Sequence, residues 1–335
     1  MLSARMGYYG FADQVAQRLG SRRAALARPP ADTSSAAACG QACSGMPPGS
    51  AGGAPNTVSA PLGTTAWFSG VGQWAQVASG AAPGFQSSLA GVMAGLDANL
   101  APGFVGGFAV GGGSANTFSW NGATALGSAL QVALYGEYGA GPFFAGGQVA
   151  YALLDQTTAR PLGAWNSVAR NSLTSSGVGG QVAAGARVPW NDWQFEPTLG
   201  FSALGLWAPT TVEQNAVGLA QQIYGQTLTS LRSAVTLPVS RTLSLAGDRL
   251  IRVRGLLGWA HEFADVNATT QATFVQAPTA PFSATSASIA RDSLLLGLSG
   301  DLGLADGVVL SAGWQAALGG RSSVQTARVG LRFAF

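Results

Sequence analysis

The end of the chain alternates between apolar side chains and charged or small ones. One face of this pattern consists of Val329, Leu331, Phe333 and Phe335. The other face consists of Arg328, Gly330, Arg332 and Ala334. Strict alternation predicts a β-strand that lies between two different environments. An apolar strand at a free chain end promotes aggregation unless it pairs with another strand. The pattern therefore favours a closed β-barrel, in which the last strand pairs with the first.

Composition indicates which environment the apolar face meets. Charged residues make up 9% of the 335 residues, whereas soluble domains contain about 25%. Hydrophobic residues make up 47%, but no stretch approaches the ~18 uncharged apolar residues that a membrane-spanning helix requires. The apolar residues are instead spread over short alternating segments. This combination predicts an all-β membrane protein whose outer face contacts lipid.

Twelve segments have the composition of strands and predict a 12-stranded antiparallel barrel at residues 64–335. They cover residues 64–78, 84–98, 103–117, 123–138, 142–156, 173–188, 192–208, 226–240, 248–265, 287–303, 306–319 and 322–335. An even number is typical of single-chain barrels in the outer membrane of Gram-negative bacteria.

The predicted connections alternate in length along the middle of the chain. The short ones are at residues 99–102, 139–141, 189–191 and 304–305. The long ones are at residues 157–172, 209–225 and 266–286. Outer-membrane barrels have short periplasmic turns and longer external loops, so we expect both ends of the barrel segment on the periplasmic side.

Side-chain parity predicts which residues face the lumen. Within single strands the polar residues share one face and the apolar residues share the other, and the acids on the polar face include Glu137, Glu196 and Glu262. We assign this face to the lumen, because a charge on the lipid face costs up to ~2–4 kcal/mol at the membrane midplane. Aromatic residues near the predicted strand ends indicate interfacial girdles: Tyr138, Trp190, Trp193, Trp207, Trp259 and Phe335.

Residues 1–28 follow a helical pattern instead. Phe11, Val15 and Leu19 repeat at a spacing of four, and a pair of prolines follows at residues 29 and 30. Residues 29–63 are rich in Ala, Gly, Ser and Pro, which predicts a flexible linker. Residues 1–26 lack the pattern of a secretory signal peptide, so we expect the export signal to precede this chain.

Four motifs in the second half of the chain resemble a known family. They are Trp259-Ala-His-Glu-Phe263, residues 289–298 (Ile-Ala-Arg-Asp-Ser-Leu-Leu-Leu-Gly-Leu), Ala312-Gly-Trp314 and residues 328–335 (Arg-Val-Gly-Leu-Arg-Phe-Ala-Phe). Their order and spacing resemble the C-terminal translocator domain of autotransporters, the type V secretion proteins of Gram-negative bacteria. The resemblance covers residues 64–335 and is strongest after residue 255.

This resemblance implies a protein-transport role. Such a domain resides in the cell outer membrane, where it anchors an N-terminal passenger domain and helps to export it. The helix would then lie in the lumen as a plug and as the linker to the passenger. We therefore expect contacts between the helix arginines and the luminal acids, which are Arg18, Arg22, Arg23, Glu137, Glu196 and Glu262.

The expected partners follow from the same resemblance. They are outer-membrane lipid, the passenger in cis, periplasmic chaperones and the β-barrel assembly machinery. That machinery would recognise the last strand by strand pairing, so we identify its apolar face as the assembly signal, namely Val329, Leu331, Phe333 and Phe335. The net charge of +3 is small and scattered, so no nucleic-acid partner is expected.

The two cysteines, Cys39 and Cys43, lie in the linker. A metal site would need two further ligands nearby, but the only histidine, His261, is distant in sequence. The pair predicts a small disulfide loop in an oxidising compartment, and two free thiols are the alternative. No cofactor or metal is expected.

Two other functions remain as alternatives. A stand-alone outer-membrane pore would have the same barrel with the N-terminal segment as a loose tail. An outer-membrane hydrolase would need a general base, and His261 shares its strand face with Trp259 and Phe263, which directs it towards lipid. We therefore do not expect an enzyme.

Overall fold

The computed structural model describes residues 2–26, 63–216, 218–245 and 250–335. One helix, α1, spans Leu2–Leu26. The buried side chains on α1 include both apolar and polar residues, so the helix is enclosed by protein around its circumference: Arg5, Phe11, Gln14, Val15, Arg18 and Leu19. None of the described helices is long and apolar enough to cross a membrane. Most of the predicted linker, with Cys39 and Cys43, lies outside the described residues, so the disulfide stays a prediction.

In the described part of the chain, twelve long antiparallel strands form the barrel, as predicted. They are β1 (Thr64–Val77), β2 (Phe85–Ala101), β3 (Phe104–Ser119), β4 (Thr124–Ala140), β5 (Phe143–Leu162), β6 (Ser167–Ala186), β7 (Thr198–Ala208), β8 (Gln226–Ser244), β9 (Leu250–Glu262), β10 (Asp292–Ala305), β11 (Val308–Leu318) and β12 (Ser322–Ala334). A short hairpin, Val188–Trp190 and Trp193–Phe195, connects β6 to β7 along the chain, and its second strand pairs with β8. Pro197, which has no N–H to donate, separates that hairpin from β7.

β12 closes the barrel by pairing with β1 along its whole length. The register runs from Thr65 opposite Ala334 to Val77 opposite Ser322. The backbone of Phe335 adds two hydrogen bonds to the backbone of Thr64, at 3.0 and 3.2 Å. Closure removes unpaired strand edges from the membrane, where each unsatisfied backbone group costs several kcal/mol.

The two faces of the wall separate by polarity. In β4, the outward-facing Leu130, Val132 and Leu134 are exposed, whereas the inward-facing Gln131 and Glu137 are buried. The predicted girdle residues are likewise exposed on the outer face: Tyr138, Trp190, Trp193, Trp207, Trp259 and Phe335. A band of apolar side chains therefore meets the lipid, and the polar side chains line the lumen.

The short connections at one end are tight turns. Gly103, Gly141 and Gly307 have positive φ, at 74°, 56° and 73°, and Asn191 has a φ of 52°. This left-handed conformation is accessible to Gly and tolerated by Asn, and it lets two strands reverse over very few residues. These turns mark the end of the barrel that we assign to the periplasm.

The connections at the other end differ from the sequence-based expectation. Residues 157–172 are predicted as a long loop, but β5 continues to Leu162 and β6 starts at Ser167. The other two long connections form a four-stranded sheet from residues 211–212, 221–223, 269–274 and 277–285. Apolar alternation stops where the strands leave the membrane, but backbone pairing continues in water between polar residues such as Thr157 and Ser172.

Candidate functional site

The helix α1 runs along the lumen from the end with the long connections to the end with the short turns. Near its start, Arg5 forms an ion pair with Glu262 and donates to the backbone oxygen of Asp265 at 2.6 Å. Near its other end, Arg22 donates to the backbone oxygen of Gly63 at 3.1 Å. The 25 residues of α1 span about 37 Å at 1.5 Å per residue, which exceeds the ~30 Å hydrocarbon core.

Two helix arginines converge on one wall carboxylate, Asp97 of β2. Arg18 donates through Nε and Nη2 to the two carboxylate oxygens, at 2.7 and 2.8 Å. Arg22 forms a second ion pair with the same group. The hydroxyl of Tyr135 lies 3.1 Å from Asp97 and accepts from the indole N–H of Trp67 at 2.8 Å. The carboxylate is thereby fixed from both the helix and the wall.

A second cluster joins the last turns of α1 to Glu137 of β4 and to Glu196. Arg23 forms an ion pair with Glu137, and its Nε lies 3.9 Å from an oxygen of Glu196. Arg254 of β9 lies 3.3 Å from Glu196 and donates to the backbone oxygen of Gly20 at 3.0 Å. This wall arginine therefore contributes a hydrogen bond to the helix, and Glu196 offsets its positive charge.

The third cluster lies at the start of α1, around Glu262 of β9. Besides its ion pair with Arg5, this carboxylate accepts from the hydroxyl of Ser230 at 2.7 Å and from the backbone N–H of Leu231 at 2.8 Å. Tyr9 lies 2.9 Å from the Ser230 hydroxyl. The start of the helix is therefore tied to β8 and β9.

Two residues of these ion pairs, Arg5 and Asp97, were not identified from the sequence. The sequence also did not predict which arginine pairs with which acid. Arg18 and Arg22 are predicted to contact luminal acids, without assigned pairs, and both contact Asp97. Asp97 shares its parity in β2 with the buried Met93, which is the sequence pattern that marks it as luminal. The choice of partner depends on the height and rotation of the helix, which the sequence pattern does not encode.

These acids are almost fully buried, which makes each pair sensitive to the loss of one member. The exposed fractions of Asp97, Glu196 and Glu262 are 2%, 1% and 2%. Removal of one partner from a buried ion pair costs ~3–5 kcal/mol, because it leaves an uncompensated charge. The clusters lie near both ends of α1, so they define its height and rotation in the barrel.

Shape complementarity adds to these ion pairs. Phe11 packs over Gly91 of β2, where a Cβ atom would lie 2.9 Å from the phenyl ring. Tyr8 packs over Gly179 of β6, where a Cβ atom would lie 2.4 Å from the hydroxyl. The glycines therefore form recesses in the wall that accept the two aromatic rings of the helix.

The helix does not fill the lumen completely. It packs against β1–β5, and a cavity of about 320 Å³ extends along its opposite side, past helix residues from Arg5 to Arg23. The side-chain oxygens of Gln17 and Gln148 border this cavity and have no hydrogen-bond partner among the described residues. Buried polar atoms of this kind bind water, so we expect the cavity to be hydrated.

The predicted assembly-signal residues lie on the outer face of β12. Val329, Phe333 and Phe335 are 58%, 43% and 70% exposed, and Leu331 is half-buried. Their side chains point away from the lumen, next to the seam with β1. They are accessible from the membrane side, and their role in assembly stays a prediction.

The only histidine, His261, lies on the outer wall. Its Nδ1 is 2.8 Å from the carboxylate of Asp292, and its ring packs between Trp259 and Phe263. Within the described ranges, no group of three or more His, Cys, Asp or Glu residues is arranged to hold a metal ion.

Comparisons with known proteins agree with this geometry. The family model described as the autotransporter beta-domain matches residues 66–315. The β-domain of the Bordetella autotransporter BrkA is similar in structure, with a TM-score of 0.64, 20% identity, 82% coverage of this chain and 100% of that one. The translocator domain of NalP from Neisseria meningitidis has a TM-score of 0.67 and 14% identity, with 98% of each chain covered. No curated protein sequence matches the chain.

The Asp97 cluster predicts a measurable loss of stability. The substitution Asp97→Asn removes the only carboxylate that pairs with Arg18 and Arg22 in the described structure, and we expect a loss of ~3–5 kcal/mol. The matched control is Asp192→Asn, which removes an exposed pair with Arg241 that contributes ~0–1 kcal/mol. Urea unfolding of the purified barrel in detergent measures both, and equal effects would contradict the role assigned to Asp97.

Proposed function

The chain belongs to the autotransporter β-domain family, and from this premise we propose that α1 is the trailing end of a polypeptide that the barrel exports. The chain is a translocator domain of the outer membrane of a Gram-negative bacterium. Its family implies a passenger domain linked in cis. In this proposal α1 remains in the lumen after export, connects the barrel to the passenger and closes the route that the passenger used.

The direction of the helix is the observation that carries this proposal. The start of α1 lies beside Asp265 in the long connections, and its end lies beside Gly63 at the short turns. A polypeptide that precedes α1 would therefore leave the barrel on the external side. A helix with the opposite direction would direct the same polypeptide into the periplasm.

The luminal contacts support a plug that is held firmly once it is in place. The three ion-pair clusters and the two glycine recesses involve side chains distributed along α1 from Arg5 to Arg23. Each contact needs a defined helix register, because the wall partners are fixed by the sheet. A passing extended chain would not satisfy these contacts, so they favour the helix as the final occupant of the lumen.

We also propose that this role requires no catalytic group in the described chain. His261 packs among aromatic rings on the outer wall and pairs with Asp292. A histidine there is separated from the luminal polypeptide by the sheet, so it is in no position to act on it as a general base.

Removal of residues 2–26 should open the pore. The expected result is a several-fold increase in single-channel conductance in planar bilayers, because α1 occupies most of the lumen in the part of the chain that the structure describes. Heat-modifiable migration of the truncated protein on gels serves as the control that its barrel is folded. If the truncated and complete barrels conduct alike, α1 does not occupy the lumen, and the stand-alone pore becomes the better hypothesis.

We also propose that the β-barrel assembly machinery and periplasmic chaperones recognise the last strand. The outer face of β12 supports this proposal. An apolar strand face at a barrel edge suits recognition by strand addition, in which backbone pairing gives affinity and alternate side chains give specificity. The backbone edge of β12 is free for such pairing until β1 closes the barrel, and Phe335 is the most exposed side chain on its apolar face.

The substitution Phe335→Asp should lower the amount of barrel in the outer membrane sharply, whereas Phe335→Tyr should leave it near the wild-type level. Refolding of both variants in detergent separates recognition from folding. Efficient refolding of Phe335→Asp together with poor assembly in cells supports recognition. Normal assembly in cells, or equal losses in cells and in detergent, would contradict it.

A further inference from the structure

The two sequence motifs that contain Glu262 and Arg291 lie side by side at the external rim of the barrel. Residues 259–263 form the end of β9, and residues 289–298 lead into β10. The backbone N–H of Glu262 donates to the backbone oxygen of Arg291 at 2.9 Å. The ion pair with α1 explains the position of Glu262 in the first motif, but it does not explain that of Arg291 in the second.

After Glu262 the chain leaves the sheet through residues 262–265, which we call the rim turn. The rim turn presents two acceptors to Arg5 of α1, the carboxylate of Glu262 and the backbone oxygen of Asp265, the latter at 2.6 Å. Arg5, Glu262 and Asp265 form the external anchor of the helix. Arg5 is 5% exposed, so the loss of an acceptor leaves part of its guanidinium without compensation for desolvation. The conformation of the rim turn therefore decides whether the start of the helix is held.

Arg291 contacts the carbonyl groups of the rim turn. Its Nη1 donates to the backbone oxygens of Glu262, Phe263 and Ala264, at 3.0, 3.3 and 3.2 Å. In the part of the chain that the structure describes, no backbone N–H donates to the oxygens of Phe263 and Ala264. Three carbonyl groups thus converge on one cation, and charge-assisted hydrogen bonds are stronger than neutral ones. Arg291 thereby fixes the direction of three successive peptide groups.

The N–H groups of the rim turn are held by β8. The backbone of Phe263 donates to the oxygen of Leu231 at 2.8 Å, and that of Asp265 donates to the oxygen of Thr229 at 3.3 Å. The carboxylate of Asp265 accepts from the backbone N–H of Thr229 at 2.7 Å. β8 and Arg291 therefore hold complementary groups of the same backbone, and the carbonyl groups lose their fixed direction without Arg291.

We infer that Arg291 is a positioning residue for the external anchor. Within the described ranges it forms no hydrogen bond or ion pair with α1, so it acts on the helix through the rim turn. It fixes the peptide groups between Glu262 and Asp265, so that the carboxylate of one and the carbonyl of the other meet Arg5 together.

The external anchor is the attachment nearest to the passenger. Among the described ion pairs of α1, the pair made by Arg5 is the closest to the start of the helix. The inference rests on the proposed function of α1 as the luminal plug, and it deepens that function by giving the second motif a role in holding the plug.

Amide hydrogen exchange of the purified full-length chain in detergent tests this role. The substitution Arg291→Gln should accelerate exchange at residues 6–10 about tenfold, because the charge-assisted hydrogen bonds that hold the rim turn are lost. Residues 18–23 should keep their wild-type rates, since the clusters around Asp97 and Glu196 hold that end of the helix.

The matched control is Arg321→Gln. It removes another exposed arginine of the external rim that donates to a backbone oxygen, that of Ser79 at 3.1 Å. This contact lies between other connections of the barrel and does not involve the rim turn, so the exchange of α1 should remain at the wild-type rate.

Two further variants separate positioning from a general loss of structure. Arg291→Lys should exchange like the wild type, because an ammonium group carries three N–H donors on one nitrogen and can serve the same three carbonyls. Arg5→Gln removes the external anchor from the helix side and leaves the wall unchanged. If Arg291 acts through the anchor, the double variant Arg5→Gln with Arg291→Gln should exchange no faster at residues 6–10 than Arg5→Gln alone.

Wild-type exchange rates in Arg291→Gln, or additive acceleration in the double variant, would overturn the inference. If Arg291→Gln assembles poorly, Arg291→Met takes its place, since it keeps the aliphatic part of the side chain and has no donor, and the same two outcomes decide. Rapid exchange along the whole of α1 in the wild type would instead count against the luminal plug itself, so the two failures are distinguishable.

Discussion

In the core of a bilayer every backbone N–H and C=O group must find its hydrogen-bond partner within the protein. The pairing of β1 with β12 meets this requirement by closing the sheet, and the chain end takes part through the backbone of Phe335. Closure of twelve strands produces a lumen wider than side chains alone can fill. The lumen must therefore be filled by a further element whose surface is compatible with the polar inner face of the barrel.

The helix α1 fills the space by combining charge and shape. Its arginines meet wall acids in three clusters around Asp97, Glu196 and Glu262, and its aromatic rings occupy glycine recesses. Buried ion pairs contribute little net stability compared with apolar packing, but they penalise strongly any arrangement that leaves one member alone. We infer that the clusters specify one height and one rotation of the helix, while packing against β1–β5 supplies much of the attraction.

The sequence was sufficient to predict the barrel within the membrane, because lipid on one side and a polar lumen on the other impose strict alternation. It was insufficient outside the membrane, where both strand faces meet water and β5 and β6 continue without an apolar pattern. It identified Glu137, Glu196 and Glu262 as luminal from parity alone, yet missed Asp97. The pairing of each arginine depends on the position of α1 relative to strands distant in sequence, which no local pattern encodes.

The central claim, that α1 is a helix held inside the lumen, is tested most directly by amide hydrogen exchange. A single helix of this length is only marginally stable in water, so its protection must come from the surrounding barrel. Mass-spectrometric exchange of the intact protein should show the amides of residues 6–26 exchanging at least ~100-fold slower than in an unfolded peptide. Exchange of this segment at the rate of an unfolded peptide, while the barrel strands remain protected, would contradict the account.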